Sequence, residues 1–190
     1  MRITLGSILA VFALTLTSQF AQADEYSEAK KIFMDAGESG TFFNKSYGYA
    51  LFPNIGKGGV GIGGAHGKGH VYVGGKHVGN TSMTQVTVGF QLGGQVYSQI
   101  IFFEDERAFK DFTSGNFEFG AQATAVAITA AAGAQATTGG GSSAGASGGK
   151  SDATTTSAGY NKGMAIFTVA KGGLMYEATL GGQKYKYEPL

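Results

Sequence analysis

Along the chain, apolar residues first recur at helical spacing and then switch to the two-residue period of strands. Between Tyr26 and Ala36, the residues Ala29, Ile32, Phe33 and Ala36 share one side while Lys30, Lys31 and Asp35 lie on others, which predicts a short amphipathic helix. Gly37 stands where a C-cap glycine belongs. From Tyr49 the pattern is that of strands: Val60 and Ile62 alternate with glycines, and His70, Val71, Tyr72 and Val73 lead into Gly74-Gly75. Paired glycines between alternating residues predict a tight hairpin, because such turns need positive φ. The signal returns at Gly93-Gly94 and Gly181-Gly182.

Between Gln85 and Leu92, the residues Val86, Val88, Phe90 and Leu92 occupy one face and Gln85, Thr87, Gly89 and Gln91 the other, so the valine face is expected to be buried. The partner strand, Gln95 to Phe103, carries Val96, Ile100 and Phe102 on one face and Tyr97, Ile101 and Phe103 on the other. Both faces must be covered near its end. A second helix from Asp105 to Phe112 is the candidate cover, with Ala108, Phe109 and Phe112 at helical spacing, Glu104-Asp105-Glu106 at its start and Glu106 four residues before Lys110. Gly120 to Ala132 reads two ways. Its alanines favour helix, yet Gln122, Thr124, Val126 and Ile128 alternate with Ala121, Ala123, Ala125 and Ala127; strand is preferred, since a small-residue face suits a tightly curved sheet. Ala134 to Ser157 has no apolar pattern and reads as a flexible Gly/Ser/Thr/Ala loop. Met164 to Val169, Leu174 to Leu180 and Lys184 to Glu188 read as strands, the last with Tyr185 and Tyr187 inward and Lys184, Lys186 and Glu188 outward. The expected fold is α+β, mainly antiparallel β: a curved sheet or small β-barrel with an N-terminal helix and one further helix packed on it.

The first residues change the picture of where this fold works. Met1-Arg2 is a short positive start, Ile3 to Leu16 is almost wholly apolar or small, and Ala21-Gln22-Ala23 precedes acidic Asp24-Glu25. This layout predicts a signal peptide over residues 1–23 and an exported protein, periplasmic or secreted, whose residues 24–190 form a single domain. The 190 residues contain no Cys, which excludes disulfides, thiolate nucleophiles and Cys-bound metals. With 14 Lys plus Arg against 13 Asp plus Glu there is no footprint for nucleic acid. No cofactor is expected. Two overlapping glycine fingerprints, from Gly56 to Gly61 and from Gly59 to Gly64, are followed by more strand instead of the helix that would hold a pyrophosphate. His66, His70 and His77 have no acidic residue between Glu38 and Glu104 to complete a metal site, and the serines Ser82 and Ser98 lack a nucleophile-elbow context. The same acid-free stretch holds the aromatics Phe42, Phe43, Tyr47, Tyr49 and Phe52, clustered just before the Gly-rich strands, and Lys57, Lys68 and Lys76 in the turns that follow. Two readings stand: a cationic face for phospholipid head groups, or core aromatics with lysines guarding sheet edges.

The order of motifs resembles the SYLF domain. Its marks are Tyr49-Ala50-Leu51-Phe52-Pro53-Asn54-Ile55-Gly56-Lys57-Gly58-Gly59, Gly67-Lys68-Gly69, Val88-Gly89-Phe90-Gln91-Leu92-Gly93-Gly94, Ile100-Ile101-Phe102-Phe103, Phe119-Gly120-Ala121-Gln122-Ala123 and Gly173-Leu174-Met175-Tyr176-Glu177-Ala178-Thr179-Leu180-Gly181-Gly182. The resemblance implies a non-enzymatic lipid-binding module, with phosphoinositide and actin-associated roles among eukaryotic members. The signal-type start, the weakly basic first helix, the lack of an SH3 or FYVE segment and the absence of Trp set this chain apart, and actin is not carried over as a partner. The expected function is peripheral association with a phospholipid membrane, with Lys30 and Lys31 meeting head groups, Ile32 and Phe33 entering the interface, and Lys57, Lys68 and Lys76 adding counter-charge. The alternative is a small outer-membrane β-barrel or structural envelope protein.

Overall fold

A computed structural model describes residues 24–89, 94–120, 126–128, 160–171 and 181–190. The signal segment, the Ala134–Ser157 loop, the Leu174–Leu180 strand, Gly93 and most of Gly120–Ala132 lie outside these residues. Among the described residues, seven strands form a curled half-barrel sheet in the order β4-β7-β2-β1-β3-β6-β5. They are β1 (Gly48–Val73), β2 (Lys76–Gly89), β3 (Gln95–Phe103), β4 (Phe117–Glu118), β5 (Val126–Ile128), β6 (Met164–Lys171) and β7 (Gln183–Pro189). All neighbours are antiparallel except β5 and β6, which run parallel. The helices are α1 (24–35), α2 (Gly37–Gly40), a 3-10 turn at Thr41–Asn44, and α3 (Glu106–Phe112).

β1 doubles back on itself. Residues 48–57 pair with β3, and residues 61–73 pair with β2. The reversal uses Gly59 (φ 147°) and Gly61 (φ 75°), conformations closed to most L side chains. Beyond it the two halves press together more closely than a Cβ allows: one on Gly67 would stand 2.6 Å from Ile55 Cγ1, and one on Gly69 would stand 2.8 Å from Leu51 O. The Gly74-Gly75 turn is as expected, with φ of 56° and 78°.

Two apolar layers result. The concave face gathers Ala50, Phe52, Ile55, Val71, Met83, Ile101, Phe103 and Tyr185 under Ala108 and Phe112 of α3. The convex face of β1's first half, β3 and β6 carries Tyr49, Leu51, Ile100, Phe102 and Phe167, under Tyr26, Ala29 and Phe33 of α1 and Phe42 of the 3-10 turn. The double covering expected for β3 is present, but different elements supply it. α3 covers only the Ile101 and Phe103 side; α1 and the 3-10 turn cover Ile100 and Phe102. α3 begins as its acidic start predicts: Asp105 accepts a hydrogen bond from Ala108 N at 2.8 Å, and Lys110 meets Glu106 at 2.9 Å.

Two local expectations are corrected. Gly37 does not cap α1; it opens α2, while the end of α1 is closed by Ala36 N donating to Ile32 O and by the buried Ser39 hydroxyl donating to Phe33 O. A side chain thus does the work expected of a glycine. In β2 the described part of the Gln85–Leu92 segment is buried on the opposite face, with Gln85 3% exposed and Val86 70% exposed; Phe90, Gln91 and Leu92 lie outside the described residues. Gln85 turns inward because it donates to Gly181 O at 2.9 Å and accepts from Gln183. That polar cluster, with Tyr97, Gln99 and Tyr185, lies inside the half-barrel.

Candidate functional site

The convex face is covered on one side only. α1 lies over β1's first half, β3 and β6 and reaches Tyr72 and His70 at the end of β1's second half; from Lys68 to the β1 reversal, and over the facing parts of β2 and β7, no described helix covers the convex side chains. Strand register decides what appears there. Lys68 pairs with Ser82, which pairs with Lys186, while His66 pairs with Thr84, which pairs with Lys184. With strands about 4.8 Å apart, Lys68 and Lys186 stand roughly 10 Å from one another across one row. One row nearer the β1 reversal, Gly64 pairs with Val86, and beyond it lies Ile62. Val60, Ile62 and Val86 are 81%, 71% and 70% exposed, the three most exposed large apolar residues apart from Leu190 among those described. An apolar tip therefore adjoins a row of lysines. Glu118, at 3.6 Å from Lys184, and Glu188, beyond Asn80, are the acidic residues at its border.

The residues singled out from sequence are distributed unevenly over this geometry. Lys68 is exposed on the bare convex face, and Lys57 is half-buried three residues before the tip. Lys76 is exposed at the opposite end of the β1–β2 hairpin, roughly 40 Å away at about 3.3 Å per residue. Lys30 sits over the Tyr49 ring at 5.9 Å, and Lys31 is paired with Asp35 on the solvent side of α1. Ile32 is half-buried, and Phe33 is fully buried against the sheet, so α1 has its apolar side turned into the protein. The structure unites Lys68 with the tip; it does not bring Lys30, Lys31 and Lys76 to the same place.

Lys184, Lys186, Val60, Ile62 and Val86 complete the surface and were not singled out. Alternation does place Lys184 and Lys186 outward, but their position beside Lys68 depends on pairing across more than a hundred residues of chain. The histidines separate likewise. His66 is exposed, with Thr84 Oγ1 3.3 Å away, while His70 lies between Tyr26 and His77 rings with centroids at 3.7 and 4.1 Å. No group of three His, Asp or Glu able to hold a metal ion occurs among the described residues.

Inside the half-barrel, Gln99 Nε2 donates to Tyr185 OH at 2.8 Å and to Gln183 Oε1 at 3.2 Å, and the Tyr185 hydroxyl donates to Gln183 Oε1. Burial pushes the Tyr185 and Tyr97 phenols above their ordinary range, so both stay neutral. The cluster ties β2, β3 and β7 together by satisfied hydrogen bonds and supplies no paired acid and base.

Residues 84–186 match the Ysc84 family, described as Las17-binding protein actin regulator. Beta cell expansion factor A of Aeromonas veronii is 31% identical over 165 residues, which is 82% of this chain and 51% of that protein; the chain thus spans about half the length of this relative. The family match spans β2 to β7 and more than half of the chain, and the chain belongs to the Ysc84, or SYLF, domain family.

Proposed function

We propose that this protein is an exported, non-enzymatic module that associates peripherally with anionic phospholipid surfaces through the bare half of its convex face. One observation carries the reading: three apolar side chains, each at least 70% exposed, stand at a glycine-built tip beside Lys68, Lys184 and Lys186. Val60, Ile62 and Val86 enter the interface. The lysines and Lys57 meet head-group phosphates, each cation near the surface contributing about 1 kcal/mol. Export follows from removal of residues 1–23, and the family and the name of its Aeromonas relative, a factor, support a role without turnover. An outer-membrane barrel is the weaker reading, because α1 covers part of the convex face and lysines occupy the rest; a lysine facing lipid at the bilayer midplane costs roughly 2–4 kcal/mol.

Vesicle flotation of residues 24–190 tests the proposal, using phosphatidylcholine alone and phosphatidylcholine with phosphatidylserine. Recovery is expected with the anionic vesicles, falling by roughly tenfold or more in Lys68→Gln/Lys186→Gln and in Val60→Ser/Ile62→Ser. Equal recovery with both vesicle types, or none with either, refutes it.

A further inference from the structure

We propose that the Tyr26–His70–His77 stack is an acid-sensitive latch that holds α1 on the sheet and lets it go when His70 takes up a proton. The inference is independent of the lipid reading. Its basis is geometric: Tyr26 is the α1 ring nearest the start of that helix, and it lies parallel to His70 of β1, 5° from coplanar with centroids 3.7 Å apart. On the other side of His70 stands His77 of β2, stacked at 4.1 Å. One imidazole thus joins three elements, and two imidazoles that close cannot both be charged without repulsion.

The surroundings offer a protonated His70 little compensation. From α1 it is met by Tyr26; of the charged side chains in that part of α1, Glu25 accepts from Asn54 Nδ2 at 2.9 Å and Lys30 lies over the Tyr49 ring. From β1 come Tyr72, whose hydroxyl lies 3.4 Å from His70 Nδ1, and Lys68, two residues before His70 along the strand. From β2 there are His77, whose Nε2 lies 3.0 Å from Gly79 O, and the neutral Asn80, with Glu188 of β7 one strand further. No carboxylate lies within ion-pair distance of His70 among the described residues. Burial, and then His77, lower its pKa to about 4. Undocking α1 relieves burial of His70 while His77 stays beside it, so the undocked imidazole titrates between about 4 and the free value of 6.5, binds the extra proton first, and docking weakens as pH falls through that interval.

A second feature marks α1 as the element that yields. Beneath it the Tyr49 hydroxyl is buried without a hydrogen-bond partner among the described residues, and burial pushes its pKa up to about 12. Undocking would return that hydroxyl to water and uncover Leu51, Ile100 and Phe102, whereas the concave core under α3 contains no histidine.

Hydrogen exchange of residues 24–190 between pH 7.5 and 4, corrected for intrinsic rates, provides the test. α1 amides should lose about tenfold in protection relative to β3 amides across that range, less than the full shift would give because His70 is partly solvated. His70→Phe, which keeps a stacking ring without a titrating group, should remove the dependence. Uniform protection of α1 down to pH 4, or an unchanged response in His70→Phe, overturns the latch. Should His70→Phe fail to fold, Tyr26→Ala decides it: reciprocity requires the His70 proton-resonance midpoint to rise when its α1 partner is removed, and an unmoved midpoint overturns the proposal equally.

Discussion

The two halves of the convex face belong to one sheet and differ in a single respect, what their outward residues are. Over β1's first half, β3 and β6 these are Tyr49, Leu51, Ile100, Phe102, Phe167 and Val169, all below 9% exposed beneath α1 and the 3-10 turn. Past the His70 and Tyr72 rings that α1 still reaches, the outward residues of β1's second half, β2 and β7 are His66, Lys68, Ser82, Thr84, Lys184 and Lys186, with no helix above them among the described residues. A helix can be held only where the sheet offers it apolar area, because the driving force is removal of that area from water at about 25 cal/mol per Å². Polar strands leave their side of the sheet available for something else. The tip departs from this rule: Val60, Ile62 and Val86 are apolar and uncovered, and a local exception to the partition that shapes the rest of the molecule is where a functional surface is to be sought.

The comparison breaks most severely at Phe33. Phe33→Ala removes the central ring beneath α1 and should cost about 3–5 kcal/mol, seen as a lower urea midpoint. A loss below about 1 kcal/mol would mean that α1 contributes little to holding the covered half together. The seam between the halves comes next. Gly69→Ala brings a Cβ within 2.8 Å of Leu51 O and should destabilise by roughly 1–3 kcal/mol, because backbone on the neighbouring half must give way. At the bare half the effect on folding nearly vanishes: Lys186→Gln should change the urea midpoint by no more than about 0.5 kcal/mol equivalent. A larger change would show that the lysine row supports the fold, and would weaken the case for reserving it for a partner.

Much of this partition was legible in the alternation of residues. Tyr185 inward with Lys184 and Lys186 outward, the two-faced burial of β3, the Asp105 start of α3 and the Gly74-Gly75 turn all follow from local chemistry that needs no distant partner. Val86 shows where local reading fails. Valine alternating with Gln85 and Thr87 points inward by hydrophobicity, yet Gln85 is the buried one because Gly181 and Gln183, about a hundred residues away, satisfy its amide. Phe33 shows the converse: its spacing marks an amphipathic helix, but an apolar face suits a sheet and a membrane equally well, and only the position of Leu51, Ile100 and Phe102 shows which one it meets here.

By itself the sequence determined the periods, the turns and the sign of charge along each strand, since these arise from residues within a few positions of one another. Tertiary structure alone decided the reversal of β1 around Gly59 and Gly61, the placing of Lys68 in one row with Lys186, and the enclosure of His70 between two rings. Those depend on strand order and register, which are set by the whole sheet closing over its two apolar layers.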